Sequence, residues 1–199
     1  MDEAAREIIG VYQRHAQAWD DARGDTLREG AWLEPFLGLI PQGGPVLDLG
    51  CGSGRPLARH FIERGHPVTG VDTSPELIGM CRRRFPDQTW VVGDMRTLAL
   101  GRRFDGLLAW NSLFHLTHAD QRAMFEVFRA HAAPGAVLMF TCGWNHGVAM
   151  GEFQGERLYH ASLDPEEYRA LLTSHGFEVV AHKPAMDSGA GVAWIARLR

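Results

Sequence analysis

From Pro45 to Cys142 the chain repeats one unit: a short, nearly all-apolar run followed by a stretch with helical spacing. The runs are PVLDLG (45–50), PVTGVD (67–72), TWVVGD (89–94), FDGLLAW (104–110) and AVLMFTC (136–142). A strand that is apolar on both faces must be covered on both faces. Parallel neighbours also need a crossover long enough for a helix. The pattern therefore predicts an α/β fold with a parallel sheet between two helical layers. Two further runs, FEVVAHK (177–183) and GVAWIARL (191–198), are separated only by a turn around Asp187–Gly191. They have no room for a crossover and should pair antiparallel.

The expected architecture is a Rossmann-like, doubly wound, mostly parallel seven-stranded sheet with an antiparallel C-terminal strand pair and N-terminal helices. Punctuation residues place the helices. Pro56 suits the first turn of one helix. Ser74 caps another, with Pro75 in its first turn. Thr117 to Ala132 reads as a helix stopped by Pro134-Gly135. Asp164-Pro165-Glu166-Glu167 reads as a capping box, and Gly176 as the terminator of the helix it opens. Ahead of the repeat, Ile8, Ile9, Tyr12, Ala16 and Trp19 sit at helical spacing, and a second helix is expected over Leu27 to Leu39. The whole of 1–199 is expected to be a single domain, with 1–40 as a helical cover and 41–199 as the core.

The net charge is −4, from 20 Lys and Arg against 24 Asp and Glu, which disfavours a nucleic-acid partner. The run Arg82-Arg83-Arg84 falls at a helix end, where it complements the dipole. The three cysteines, Cys51, Cys81 and Cys142, are too few and too scattered for a disulfide framework or a zinc site. No apolar run is long enough to span a membrane, and the acidic N-terminus is unlike a signal peptide. A cytoplasmic protein is expected.

In doubly wound sheets, ligands bind beyond the carboxyl ends of the strands, where the winding reverses. The first such turn is DLGCGSGRP, Asp48 to Pro56. A dinucleotide fingerprint G-x-G-x-x-G begun at Gly50 needs glycine at position 55. Arg55 stands there, and the third glycine comes early, at Gly54. The run D-x-G-x-G-x-G after a strand resembles the first motif of the class I S-adenosylmethionine-dependent methyltransferases. That resemblance implies S-adenosyl-L-methionine as cofactor, leaving as S-adenosyl-L-homocysteine. It implies that Gly50, Cys51, Gly52 and Gly54 bring backbone to the methionyl group, with Asp48 near its ammonium. It places Asp72, beside Thr73, on the ribose hydroxyls. Asp94 meets the adenine amino group, and the N–H of Met95 meets a ring nitrogen. Trp110 and Asn111, at the end of the fourth strand, face the cofactor.

Methyl transfer requires alignment, exclusion of water and, for some acceptors, removal of a proton. His115 follows a strand end and is a candidate base. The stretch Gly143 to Leu163 is expected to be a long loop on the ligand side, and long loops usually bind something. Its candidates are His146, Glu152, Tyr159 and His160. Tyr12, His15 and Trp19 are candidates for a lid. His115 and His118 lack a carboxylate partner, so no metal is expected. Asn111-Ser112-Leu113-Phe114 lacks the paired prolines of base N-methyltransferases. The expected acceptor is therefore a small molecule, with its O, N, C or S atom open. No nucleic acid or membrane partner is expected. The alternatives are a tRNA or rRNA base methyltransferase, a non-catalytic cofactor-binding module acting through a partner, and a nicotinamide dehydrogenase, which the glycine spacing disfavours.

Overall fold

The computed structural model describes residues 3–185 and 191–199. Seven strands form one sheet: β1 (Val46–Leu49), β2 (Val68–Asp72), β3 (Thr89–Val92), β4 (Phe104–Ala109), β5 (Ala132–Cys142), β8 (Phe177–Pro184) and β9 (Val192–Leu198). Their order is β3-β2-β1-β4-β5-β9-β8. The first five are parallel, and β9 pairs antiparallel with both β5 and β8. The expected turn around Asp187–Gly191 lies outside the described residues except for Gly191. Because β2 and β4 flank β1, the winding reverses at β1. The glycine turn therefore leaves the sheet at its switch point.

Each face of the sheet has its own core. On one, Met124, Phe125 and Phe128 of α6 (His118–His131) and Tyr168 and Leu172 of α7 (Pro165–Ser174) pack on Leu47, Leu107 and Phe140. On the other, α3 (Gly30–Gly38), α4 (Leu57–Glu63) and α5 (Pro75–Arg84) bring Phe36, Phe61 and Ile78 against Val46, Leu108 and Ile195. Ser74 caps α5 through its side chain, which accepts from the Leu77 N–H.

Several sequence expectations are corrected. The stretch Gly143 to Leu163 is not a loop. It forms a hairpin of β6 (Gly147–Phe153) and β7 (Glu156–Ser162), which is a separate two-stranded sheet. Its inner strand buries Leu158, Tyr159 and Ala161 against Ile8 and Val11 of α1 (Glu3–Arg14). Its outer strand exposes Val148 and Met150. Glycines and a mixed burial pattern hide its period of two. The first helix breaks at His15 into α1 and α2 (Ala16–Arg23). The second begins at Gly30, three residues later than expected. Pro134 and Gly135 lie inside β5 rather than in a terminator, since β5 starts directly after α6. Asp164 precedes α7 but makes no side-chain cap bond. Its carboxylate instead accepts from the His146 N–H at 3.3 Å.

The ground under the glycine turn is tightly filled. A Cβ on Gly70, in β2, would lie 2.3 Å from Trp90 Cζ3 and 2.8 Å from Cys51 Sγ. Trp90 is a buried ring with little freedom to shift. Gly70→Ala is expected to cost about 1–3 kcal/mol, measured by urea denaturation. A neutral result would mean that β2 and the turn yield easily.

Candidate functional site

The turn after β1 runs through three left-handed glycines, at φ +80° for Gly50, +55° for Gly52 and +78° for Gly54. Only glycine takes such angles without strain. The three serve different neighbours. A Cβ on Gly50 would be 2.4 Å from the Ser112 Cβ. One on Gly52 would face the Trp19 indole nitrogen at 3.3 Å. One on Gly54 would meet Cys81, Phe85 and Trp90 at 3.3 Å. Gly54 thus packs inward and lines neither cavity described below, unlike the direct cofactor contact expected of it.

The ends of β1 and β2 are tied by one carboxylate. Asp72 Oδ2 accepts from the Gly52 N–H and Oδ1 from the Ser74 N–H, both at 2.9 Å. Burial pushes the Asp72 pKa up, and these backbone donors pull against that shift. Asp72 faces a cleft that encloses about 830 Å³, part of it open to solvent. Thr73, Asp94, Met95 and Asn111 line the same cleft, as does His115. Asp94 grips Arg96 with both oxygens, at 2.5 to 3.0 Å, and caps the 3₁₀ turn Met95–Thr97. Burial opposes ionisation of Asp94, but the guanidinium beside it brings its pKa below the usual range. Asn111 holds φ +52°, and its N–H donates to Thr141 Oγ1 at 2.8 Å.

A smaller cavity of about 440 Å³ continues behind the turn, lined by Asp48, Cys51 and Trp110, with Trp19, Arg23 and Arg55 opposite. Asp48 is 3% exposed, and among the described residues its carboxylate has no hydrogen-bond partner. Burial, with the charge of Asp72 added, pushes its pKa up to about 7. Burial also raises the Cys51 thiol well above its ordinary value, with Cys81 beside it adding to the shift.

Helices α1 and α2 close over both cavities. Tyr12, Ile8 and Ile9 line the larger, Arg23 the smaller, and Trp19 both. Two ionic clusters hold them. Asp20, 1% exposed, receives Arg55 and Arg84, each through two nitrogens at 2.6 to 2.9 Å. Burial works against its charge, but the two guanidiniums hold its pKa far below the carboxylate range. At the hairpin tip, Glu156 pairs with Arg14 and, at 2.6 Å, with His15.

Of the five catalytic and substrate-contact candidates, the structure brings only His115 to the cleft. Its Nδ1 lies 2.9 Å from the Tyr159 carbonyl oxygen, which can only accept, so Nδ1 carries the proton. Nε2 then accepts from the Tyr12 hydroxyl, also at 2.9 Å. Burial, with His160 nearby, lowers the His115 pKa to about 4. Tyr159 contributes its carbonyl but lines neither cavity. His160 lies tilted beside His115, with ring centroids 4.9 Å apart, outside the cleft. His146 stacks on His118 at the far side of the hairpin, and Glu152 lies on the outer strand. Ser112 lines the cleft beside Asn111, and Thr117, Asp120 and Arg96, which also line it, were missed. Thr117 and Asp120 had a readable signal, since threonine followed three residues later by an acid opens a helix. Thr117 Oγ1 does accept from the Asp120 N–H, at 3.1 Å.

Fold and site together define a doubly wound α/β protein with an acid at the end of each of its first three strands. Residues 46–135 match the methyltransferase domain family. The chain is 36% identical, over 106 residues, to a dTDP-3-amino-3,6-dideoxy-alpha-D-glucopyranose N,N-dimethyltransferase of Streptomyces fradiae. That match covers 52% of this chain and 41% of the relative. It is 30% identical, over 146 residues, to a dTDP-4-amino-2,3,4,6-tetradeoxy-D-glucose N,N-dimethyltransferase of Saccharopolyspora spinosa, covering 69% and 58%. The chain thus spans only about half the length of these relatives. In fold it resembles a 1,6-didemethyltoxoflavin-N1-methyltransferase of Burkholderia thailandensis, solved with its substrate and S-adenosylhomocysteine. The TM-score is 0.75 and the identity 23%, over 98% of this chain and 89% of that one. Among the described residues, no helix is long and apolar enough to cross a membrane, and no cluster could hold a metal ion.

The partnerless Asp48 makes a prediction about the ligand-free protein. Its folded pKa lies above the unfolded value. The stability lost to its burial is therefore absent at low pH and grows as pH rises toward 7. Asp48→Asn is expected to raise Tm more at about pH 8 than at about pH 5, read by thermal melts. An equal shift at both pH values would contradict the raised pKa.

Proposed function

We propose that this protein transfers a methyl group from S-adenosylmethionine to a small-molecule acceptor. One observation carries the reading: a buried, partnerless carboxylate, Asp48, adjoins a cleft whose wall presents Asp72 and Asp94 in strand order. The residues fit the cofactor. Asp48 and the backbone of Gly50 and Gly52 receive the methionyl group. Asp72 has an acceptor lone pair left on each oxygen for the ribose hydroxyls. Asp94 and the Met95 N–H border the adenine. When bound, the cofactor supplies a methyl group activated on a sulfonium.

The chain's own part is positioning. Ile8, Ile9 and Trp19 exclude water from above. Tyr12 and His115 form a neutral pair whose orientation is fixed by the Tyr159 carbonyl. With a pKa of about 4, His115 accepts a hydrogen bond at neutral pH rather than storing a proton. Its single ring lone pair is taken by the Tyr12 hydroxyl. The Tyr12 oxygen, fixed by His115, therefore accepts the N–H of an acceptor and leaves the nitrogen lone pair aimed at the methyl carbon. Nitrogen is the acceptor atom we favour, because the curated relatives above are named as N,N-dimethyltransferases. A cytoplasmic site of action and the closing role of residues 1–40 belong to the same proposal.

The deciding experiment supplies methyl-labelled cofactor with a panel of small amines and, separately, with bulk RNA. Label in an amine is expected, and label confined to RNA would overturn the acceptor class. His115→Asn is expected to lower kcat about 10- to 100-fold while leaving S-adenosylhomocysteine affinity unchanged. In the wild type, no kcat inflection from His115 is expected between about pH 6 and pH 8, since it titrates near 4. A histidine inflection near pH 6.5, lost in His115→Asn, would show that its burial is not maintained.

A further inference from the structure

The strand that holds His115 is itself held from α6. Among the described residues, β7 pairs only with β6, and alternate residues of an antiparallel strand turn their carbonyls away from the partner. Two carbonyls of β7, two residues apart, accept from side chains instead. Tyr159 takes His115 Nδ1 and Ala161 takes Gln121 Nε2, both at 2.9 Å. The same Gln121 nitrogen donates to the Leu116 carbonyl at 2.9 Å, one residue beyond His115. Both carbonyls that it meets can only accept, which settles the orientation of the amide. Its oxygen accepts from the Tyr168 hydroxyl at 2.5 Å, and the Tyr168 oxygen accepts from the Leu163 N–H at 3.2 Å. Gln121 and Tyr168 are both wholly buried.

We propose that Gln121 is a positioning residue for methyl transfer, setting the gap between β7 and the 3₁₀ turn Leu113–His115 and with it the aim of the Tyr12–His115 pair. The inference rests on the function proposed above but lies outside the cofactor site, since neither Gln121 nor Tyr168 lines either cavity. One amide bridges β7 and the chain just after His115. A buried carbonyl is costly to leave unpaired, so neither segment shifts alone. Glutamate could not serve, because a carboxylate has no N–H for either carbonyl. The tie also keeps the His115 ring dry. Tyr12 from α1 and His160 from β7 are the titratable groups against that ring, and Phe114 lies beside it. Without Gln121, β7 and the turn part, water reaches the ring, and His115 regains the proton affinity that burial denies it.

Nitrogen NMR of the ligand-free protein tests the tie without turnover, with His115 assigned by its loss in His115→Asn. In the wild type, His115 is expected to titrate near pH 4 with its proton on Nδ1. Gln121→Met keeps the bulk and removes the donors. Its His115 midpoint should move up toward the ordinary value of about 6.5, with S-adenosylhomocysteine affinity by calorimetry unchanged. Methyl transfer to the amine panel should slow about tenfold. An unmoved midpoint in folded Gln121→Met would overturn the assignment. So would an unchanged transfer rate, or a loss of S-adenosylhomocysteine affinity, which would mark general support of the fold. Tyr168→Phe releases the Gln121 oxygen while keeping the ring, and carries the same measurements if Gln121→Met unfolds. Failure of the wild type to methylate any amine would instead overturn the proposed function, and the His115 midpoints would still report the tie.

Discussion

The site depends on what Asp72 does at the end of β2. Its two oxygens take the N–H of Gly52 on one side and of Ser74 on the other. That fastens the first turn to the second and starts α5 in register. The same carboxylate faces the cleft. A ligand hydroxyl and the backbone of the turn therefore share one acceptor, and the turn cannot move without moving the ribose position. Charged acceptors form shorter and stronger hydrogen bonds than neutral ones. This one extends the tie beyond the β1–β2 ladder, past the bonds that the Gly50 and Cys51 N–H groups donate to the Val71 carbonyl.

Placing a second acid, Asp48, behind the first carries a cost that the empty protein bears. Each carboxylate raises the free energy of ionising the other, and Asp48 has no donor to offset its burial. Buried polar groups without partners are uncommon and concentrate at functional sites. Here the unfavourable charge lies where a cation is expected, so ligand binding relieves the strain. His115 follows the opposite logic. It is buried with both ring nitrogens satisfied, and it stays neutral because burial disfavours its charge.

The sheet was legible because its strands are apolar on both faces, and only a parallel, covered sheet has a use for that. The strand-end acids were legible because they terminate such runs. The spacing of Gly54 matches a motif, while its Cβ direction, toward Trp90, is a property of packing that no motif carries. The hairpin was missed for a related reason. It rests on α1 rather than on the main sheet, so its apolar residues answer to a partner more than a hundred positions away in the chain. Tyr12 looked like a lid residue, and no local pattern could tell that its hydroxyl reaches His115. Asp120 and Arg96 went unseen because helix capping and ion pairing explain both residues without a cleft.

The fastening at Asp20 has a consequence for how α2 can move. Its carboxylate sits inside two guanidinium forks, one from the glycine turn and one from the end of α5. Lifting α2 strips both forks from a nearly inaccessible anion in a single movement. Half-measures leave a charge stranded in a dry setting, which is less favourable than either extreme. Parting α2 from the core therefore means releasing Arg55 and Arg84 together rather than one at a time.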